Sequence, residues 1–336
     1  MIYTESKIKD AAFNLAAEEY IMRCLPKEQT EKPVFMLWQT EKCVVIGRSQ
    51  IAAAEVDLKA AHSANFNIRR RSSGGGAIFS DSGNIMYSLI TPFNDGDDPK
   101  KIEREQAAGF VAKALNKMGI PAISEGRNDI TVNGKKISGL AQYAVKNRLC
   151  THGSLLYNTD LELLTKILKT DTEKVSSKSI KSIRSRVVNL CEYFDDNLSL
   201  TEFTERLKSC LLDKTGKTEV EYYNFTEYDT EQINIIKAEK YDNPEWINGV
   251  TPKFSFHSAK RFPAGKVEIF MYVERGIIKS CKIYGDFLGV LPIDELEKQL
   301  LNQPHIFGIL SEILSKIDLR IYLGEIKREE LLECLF

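Results

Sequence analysis

Apolar residues recur at helical spacing over residues 8–24, where Ile8, Ala12, Leu15 and Ala16 share one face. Residues 34–38 and 43–47 are short apolar runs, with polar residues 39–42 between them, and predict two strands and a turn. Residues 66–71 predict a strand that enters three glycines at 74–76, and residues 84–91 predict the next. Asp98 followed by Pro99 predicts a helix start, with the helix running to about Met118. Short strands are expected at 129–132 and 135–139, and another near 152–157. A helix after Asp160 carries Leu161, Leu164 and Leu168 on one side, and a further helix over roughly 200–213 precedes a polar segment, 214–230.

From about residue 253 the pattern changes. Residues 253–262, 266–275 and 277–285 predict a three-stranded meander, followed by amphipathic helices at roughly 292–302 and 305–317. The boundary is expected at 245–252, which divides the chain into residues 1–248 and a small α+β unit, 249–336. At 336 residues, one large and one small domain suit the length. Residues 171–189 are rich in Lys, Ser and Arg and read equally as a solvated loop or a basic lid.

Composition removes several functions. A net charge of −1 gives no global field for nucleic acid or an anionic membrane, so an anion site has to be built locally. No apolar run approaches the roughly 18 residues that span a bilayer, and residues 1–7 lack the layout of a secretion signal. The seven cysteines are scattered and form no Cys-x-x-Cys pair, and the four histidines lie far apart. A disulfide framework or zinc centre is not expected, and a cytoplasmic setting is.

The first candidate for chemistry is Arg69-Arg70-Arg71-Ser72-Ser73-Gly74-Gly75-Gly76-Ala77-Ile78-Phe79. Three glycines remove every Cβ, so a ligand could lie against backbone amides, and the arginines offer fixed charge for phosphate. There is no Gly-x-x-x-x-Gly-Lys-Ser/Thr, so this is not a Walker loop. A strand-to-strand setting also argues against a Rossmann turn. The bland alternative is a flexible glycine hairpin beside a solvated basic strand.

The second candidate is the hairpin Asp129-Ile130-Thr131-Val132-Asn133-Gly134-Lys135-Lys136-Ile137-Ser138. Asn-Gly between alternating segments predicts a two-residue turn. In that register Val132 faces Lys135, Thr131 faces Lys136, Ile130 faces Ile137 and Asp129 faces Ser138. Ile130, Val132, Lys135 and Ile137 then share one face, and Asp129, Thr131, Lys136 and Ser138 the other. If the hairpin lines a site, Lys136 on the polar face is the working lysine. If it does not, both lysines are simply solvated.

Taken in order, several segments resemble the lipoate–protein ligase family over nearly the whole chain. They are Phe13-Asn14-Leu15-Ala16-Ala17-Glu18-Glu19, Leu37-Trp38, Val44-Val45-Ile46-Gly47-Arg48-Ser49-Gln50, the Arg70–Phe79 stretch with Asp81 and Gly83-Asn84, Gly126-Arg127-Asn128-Asp129, Lys136-Ile137-Ser138-Gly139, His152-Gly153-Ser154-Leu155-Leu156 and Arg184-Ser185-Arg186-Val187-Val188-Asn189-Leu190. The resemblance implies an α+β protein, with a large mixed-sheet catalytic domain of the biotin/lipoate ligase type and a small C-terminal α+β accessory domain. It implies ATP and adenylate contacts at Arg71, Gly76, Ala77, Ile78, Phe79 and Asn84, and lipoate contacts at Trp38, Gly75 and His152. It places Lys136 against both the lipoyl carboxyl and the phosphate. Asp129 is the candidate for holding Mg2+. Two positions depart from the family pattern: Ser80 where histidine is common, and Ile51 where asparagine is common.

The reaction so implied activates lipoate with ATP to lipoyl-AMP, releasing pyrophosphate, and then passes the lipoyl group to a lysine ε-amine. Expected acceptors are lipoyl domains of 2-oxo acid dehydrogenase complexes and the glycine cleavage H protein; a monomer is expected, with no nucleic acid or membrane partner. The rivals are an ATP-independent octanoyl or lipoyl transferase working through a cysteine, and a non-catalytic lipoate-binding protein. Residues 120–132 contain no cysteine; Cys150, beside Thr151-His152, reads as a buried small residue, with a Cys/His nucleophile pair as the alternative.

Overall fold

The computed structural model describes residues 1–25, 31–92, 94, 97–98, 102–126, 128–169, 186–194, 198–212, 220–249 and 254–336. The basic stretch around Lys178, Lys181 and Arg184, and Pro99 at the expected helix start, lie outside these residues.

Among the described residues, eleven strands precede residue 250. They are β1 (Ile2–Glu5), β2 (Val34–Trp38), β3 (Cys43–Ile46), β4 (Asn67–Arg70), β5 (Ile78–Ser80), β6 (Asn84–Pro92), β7 (Ala122–Glu125), β8 (Asp129–Val132), β9 (Lys135–Val145), β10 (Arg148–Leu156) and β11 (Glu221–Tyr222). Eight of them form one mixed sheet in the order β11-β1-β2-β6-β10-β9-β8-β7. A second sheet, β4-β3-β5, lies apart from it. After residue 254 a meander follows, β12 (Phe256–Phe262), β13 (Gly265–Glu274) and β14 (Ile277–Gly285), with four helices. The molecule is α+β, as the resemblance implied.

The large sheet is apolar on both faces because both are covered. Along β2, Val34, Met36 and Trp38 join a core with the first helix, Ala11–Cys24, whereas Phe35 and Leu37 join another with the helices Gly109–Lys117 and Leu200–Leu211. Along β6, Met86 and Ile90 face the first core and Ile85, Tyr87 and Leu89 the second.

The first helix starts three residues later than its periodicity suggests. Asp10 caps it by accepting from the Ala12 amide (2.9 Å), and Asn14 donates to the carbonyls of Ile8 (2.7 Å) and Gln39 (3.1 Å). Those bonds hold residues 6–9 extended against the end of β2, and Ile8 is exposed. The helix expected from Asp98 is a π-helical segment, Glu103–Ala108, followed by an α-helix, Gly109–Lys117. Short or weakly periodic elements escape the sequence pattern: β1, β7, helices Ala52–Glu55, Leu58–Ser63, Glu227–Ile236, Arg320–Leu323 and Arg328–Leu335.

The Asn133-Gly134 turn forms with both residues at positive φ, 52° and 72°, as a tight primed turn requires. Val132 pairs with Lys135 and Thr131 with Lys136, as expected. Beyond them the expected register is overturned. A β-bulge makes Ile130 pair with Ser138 and Asp129 with Gly139, leaving Ile137 as the extra residue. Ser138 therefore joins the face of Ile137, where its hydroxyl meets that of Tyr87 (2.9 Å), and Gly139 takes its place beside Lys136.

Arg70 ties the two sheets' surroundings to residues 244–249. Its Nη1 donates to the carbonyls of Gly47 (3.0 Å), Arg48 (2.7 Å) and Gln50 (2.6 Å). Its Nε and Nη2 cap the end of the short helix Pro244–Asn248 through Trp246 O (2.7 Å) and Ile247 O (2.9 Å), and the Trp246 indole donates back to Arg70 O (2.9 Å). Burial lowers the Arg70 guanidinium to about 10, so it stays protonated at neutral pH. Arg70→Met is expected to strand these buried carbonyls and cost roughly 3 kcal/mol of stability, measured by denaturant unfolding; an unchanged midpoint would contradict the role.

Candidate functional site

A cleft of about 590 Å³ lies between the first helix, the large sheet and the β4-β3-β5 sheet. Register explains its shape. On the large sheet Trp38 (β2), Met86 (β6), Ser154 (β10) and Gly139 (β9) form one transverse row, and Met36, Ser88, His152 and Ala141 the next. Glycine and alanine on β9 leave room above the sheet, and Val45 and Ile78 close the cleft from the smaller sheet. One end is apolar, with Leu15, Trp38 and Met86; the other is polar, with Lys136 and Asn128.

Lys136 is partly exposed at the polar end, and its Nζ pairs with Asp129 Oδ1 at 2.6 Å. The bulge permits this placement. A Cβ at position 139 would stand 2.9 Å from Nζ and 3.0 Å from Cε, so a larger residue there would push the end of the lysine side chain off its observed path. The main-chain N–H of Lys136 also donates to Arg186 O (2.7 Å), and its carbonyl accepts from Val188 (3.1 Å), which fixes the backbone from the other side. Lys135 is exposed and lines a separate polar hollow with Asp160 and Glu162.

Sequence reasoning missed the network beneath the cleft. Arg71 is fully buried and curls the glycine loop around itself: Nη2 donates to Gly74 O (2.6 Å) and Gly76 O (2.8 Å), Nη1 to Val45 O (3.0 Å), and Nε to Ser73 Oγ (2.9 Å). Ser73 Oγ lies 2.6 Å from His152 Nε2, and His152 Nδ1 lies 2.9 Å from Glu18 Oε2. Trp38 Nε1 donates to Ser88 Oγ (3.2 Å), which donates to Glu18 Oε1 (2.5 Å). With Arg71 donating to Ser73, the consistent direction is Ser73 to Nε2 and Nδ1–H to the carboxylate. Burial lowers Arg71 to about 10, and the Glu18 charge partly offsets this. The signal for Glu18 was a carboxylate three residues after Leu15 on an otherwise apolar helix face.

The residues expected to contact ligand meet the cleft in different ways. Arg71 lines the cleft, and all three of its guanidine nitrogens are engaged within the loop, so it also shapes the glycine turn. The Phe79 ring faces the opposite core, stacked on Phe66 at 4.7 Å, which leaves only its backbone for a ligand. The Gly75 amide, at φ +85°, is taken by Phe287 O (3.1 Å), and a Cβ on Gly74 would meet the same carbonyl at 2.5 Å. Gly76, Ala77 and Ile78 remain as the open lip of the cleft. Asn84 is buried with Oδ1 accepting from Asp81 N (3.0 Å), whereas its Nδ2 has no protein partner. Trp38, Gly75 and His152 all line the cleft, as expected, although His152 reaches it already hydrogen-bonded on both nitrogens.

Residues 10–212 match the family model "Lipoyl protein ligase A/B catalytic domain", and residues 251–335 match "Bacterial lipoate protein ligase C-terminus". The chain belongs to the lipoate–protein ligase family. This ligase is 35% identical to the lipoate-protein ligase LplJ of Bacillus subtilis over 100% of both chains. It is 37% identical to lipoate–protein ligase 1 of Staphylococcus aureus, over 99% of this chain and 98% of that one. Its fold matches that of P. falciparum LipL1 in complex with lipoate, with a TM-score of 0.78, 25% identity and 99% of each chain covered. It also matches a lipoate-protein ligase A bound with ATP, with a TM-score of 0.60, 25% identity, 74% of this chain and 97% of that one. An archaeal bipartite lipoate protein ligase from Thermoplasma acidophilum, described with its E2 lipoyl domain, gives a TM-score of 0.65 at 28% identity, over 76% of this chain and 98% of that one. Among the described residues of this ligase, no helix is long and apolar enough to cross a membrane.

Cys150 is fully buried beside Glu18 and His152, and burial, then the Glu18 charge, pushes its thiol well above the ordinary range. That is the opposite of what a nucleophilic thiolate needs. Exposed Cys24 is expected to react with iodoacetamide in the native protein, and Cys150 only after unfolding; rapid native labelling of Cys150, read by peptide mass spectrometry, would contradict this placement.

Proposed function

We propose that this cleft carries out both half-reactions of an ATP-dependent lipoate–protein ligase, with Lys136 as the shared catalytic group. The observation that carries the reading is the position of its amine. It stands where the apolar cleft meets the open Gly76–Ile78 lip, so acyl and phosphoryl oxygens can meet one ammonium.

In the first step a lipoate carboxylate oxygen bonds to the α-phosphorus of ATP, and the bond to pyrophosphate breaks. Lys136 stabilises the charge on both oxygens, and the amides of the lip and the free Nδ2 of Asn84 supply further donors. In the second step an acceptor lysine amine attacks the lipoyl carbonyl, AMP leaves, and the nitrogen loses its proton. Bound Mg2+ would neutralise the polyphosphate. Asp129 suits it as a lone carboxylate completed by phosphate oxygens, since among the described residues the one cluster of three potential ligands is the buried Glu18, Cys150 and His152. Asp129 would then exchange Lys136 for the ion as Lys136 turns to the adenylate.

Phe287 covers the loop in this structure, so phosphate reaches the Gly75 amide only if the C-terminal unit withdraws. We divide the chain accordingly into a catalytic domain, 1–248, and an accessory domain, 249–336. Acceptors are proposed to be lipoyl domains and the glycine cleavage H protein, met by a cytoplasmic monomer. Transfer through a cysteine is not favoured, because Cys150 is sealed and protonated.

Lipoate-dependent ATP–pyrophosphate exchange tests the reading. Lys136→Ala is expected to lose about 100- to 1000-fold, the scale of one essential charged donor, and Lys135→Ala to stay near wild type. Equal rates for the two variants would refute the assignment. Gly139→Ala should keep its melting temperature yet lose about 100-fold in rate, because the lysine is displaced; full activity there would show that the amine does not need its observed path.

A further inference from the structure

The far end of the cleft has a construction that nothing above explains. Met86 lies two strands from Gly139 along the transverse row, roughly 10 Å at a strand spacing of about 4.8 Å. That is the reach of an extended acyl chain of about eight carbons, each bond advancing ~1.3 Å. Beside Met86, Trp38 is anchored, because its indole N–H is bonded to Ser88. Met86 has no such anchor. Its sulfur rests on the Ser80 hydroxyl at 3.9 Å, a weak contact, and Ser80 pairs across the small sheet with Cys43. Both are small and fully buried. An unbranched thioether backed by two small side chains is the most adaptable wall the cleft has.

We propose that Met86, positioned by Ser80, sets the length and bulk of the acyl chain this enzyme accepts. The proposal rests on the ligase reading for the identity of the substrate, but the depth of the cleft is independent of it. A straight saturated chain meets Met86 end-on, and a ring-terminated chain of the same carbon count needs the thioether to swing toward Ser80. Enlarging residue 80 removes that freedom, and shortening residue 86 adds depth. Ser80 acts through Met86 and touches no substrate itself.

The test uses the full-length enzyme, saturated acids of six to twelve carbons, and lipoate. Met86→Ala is expected to shift the preferred acid longer by about two carbons and lower KM for longer acids about fourfold per added methylene, the worth of one buried CH2. Ser80→Leu is expected to shift the preference shorter and raise KM for lipoate more than that for octanoate, with KM for ATP unchanged in both. A purely structural role would lower activity on every acid alike and leave their order intact, and that result would overturn the proposal. If Ser80→Leu fails to fold, Met86→Ala and Met86→Leu decide it. Thermal stabilisation by each acid without ATP reads cleft depth directly. Wild-type stabilisation without any pyrophosphate exchange would count against the ligase reading alone, and normal exchange with an unmoved length order would count against Met86 alone.

Discussion

Everything at the site depends on one buried arginine and one buried carboxylate bridged by two side chains. The Arg71 guanidinium and the Glu18 carboxylate are both excluded from water and are joined through Ser73 and His152. An isolated charge in such a place would be costly; a relay of hydrogen bonds spreads the compensation across the cleft floor. The geometry of the glycine loop follows. Its carbonyls turn inward to the guanidinium, so Gly76 and the residues after it form the open edge. Trp38 follows too, through Ser88.

Local signals made part of this legible. Asn133-Gly134 fixes its own turn, so the pairing of Lys135 and Lys136 was readable from residues adjacent in sequence, and with it the distinction between the two lysines. The bulge at Ile137 was not readable, because it answers to β10 and to residues 186–188, which are far along the chain. The motif segments named residues that share one cleft, since Trp38, Gly75, Lys136 and His152 all line it.

The partners of Arg71 were the least legible part of the site, and the cause is physical. An arginine before glycines suggests an exposed anion clamp when partners are unknown. Its actual acceptors are Val45, two loop carbonyls and a serine tied to the first helix. None is visible without the fold. The same holds for Phe79, whose ring direction is set by Phe66. Boundaries erred where polar side chains bind backbone, as Asn14 does when it holds residues 6–9 out of the helix.

The bulged residue in β9 separates two alignments that a regular hairpin would lock together. Ahead of it, the turn dictates which side chains oppose each other; behind it, the long sheet does. The tip can therefore accumulate substitutions without transmitting a slip to the floor of the cleft. Removal of the bulged residue would be a different matter: it would fuse the two alignments into one regular ladder, so that a slip at the tip would pass into the sheet.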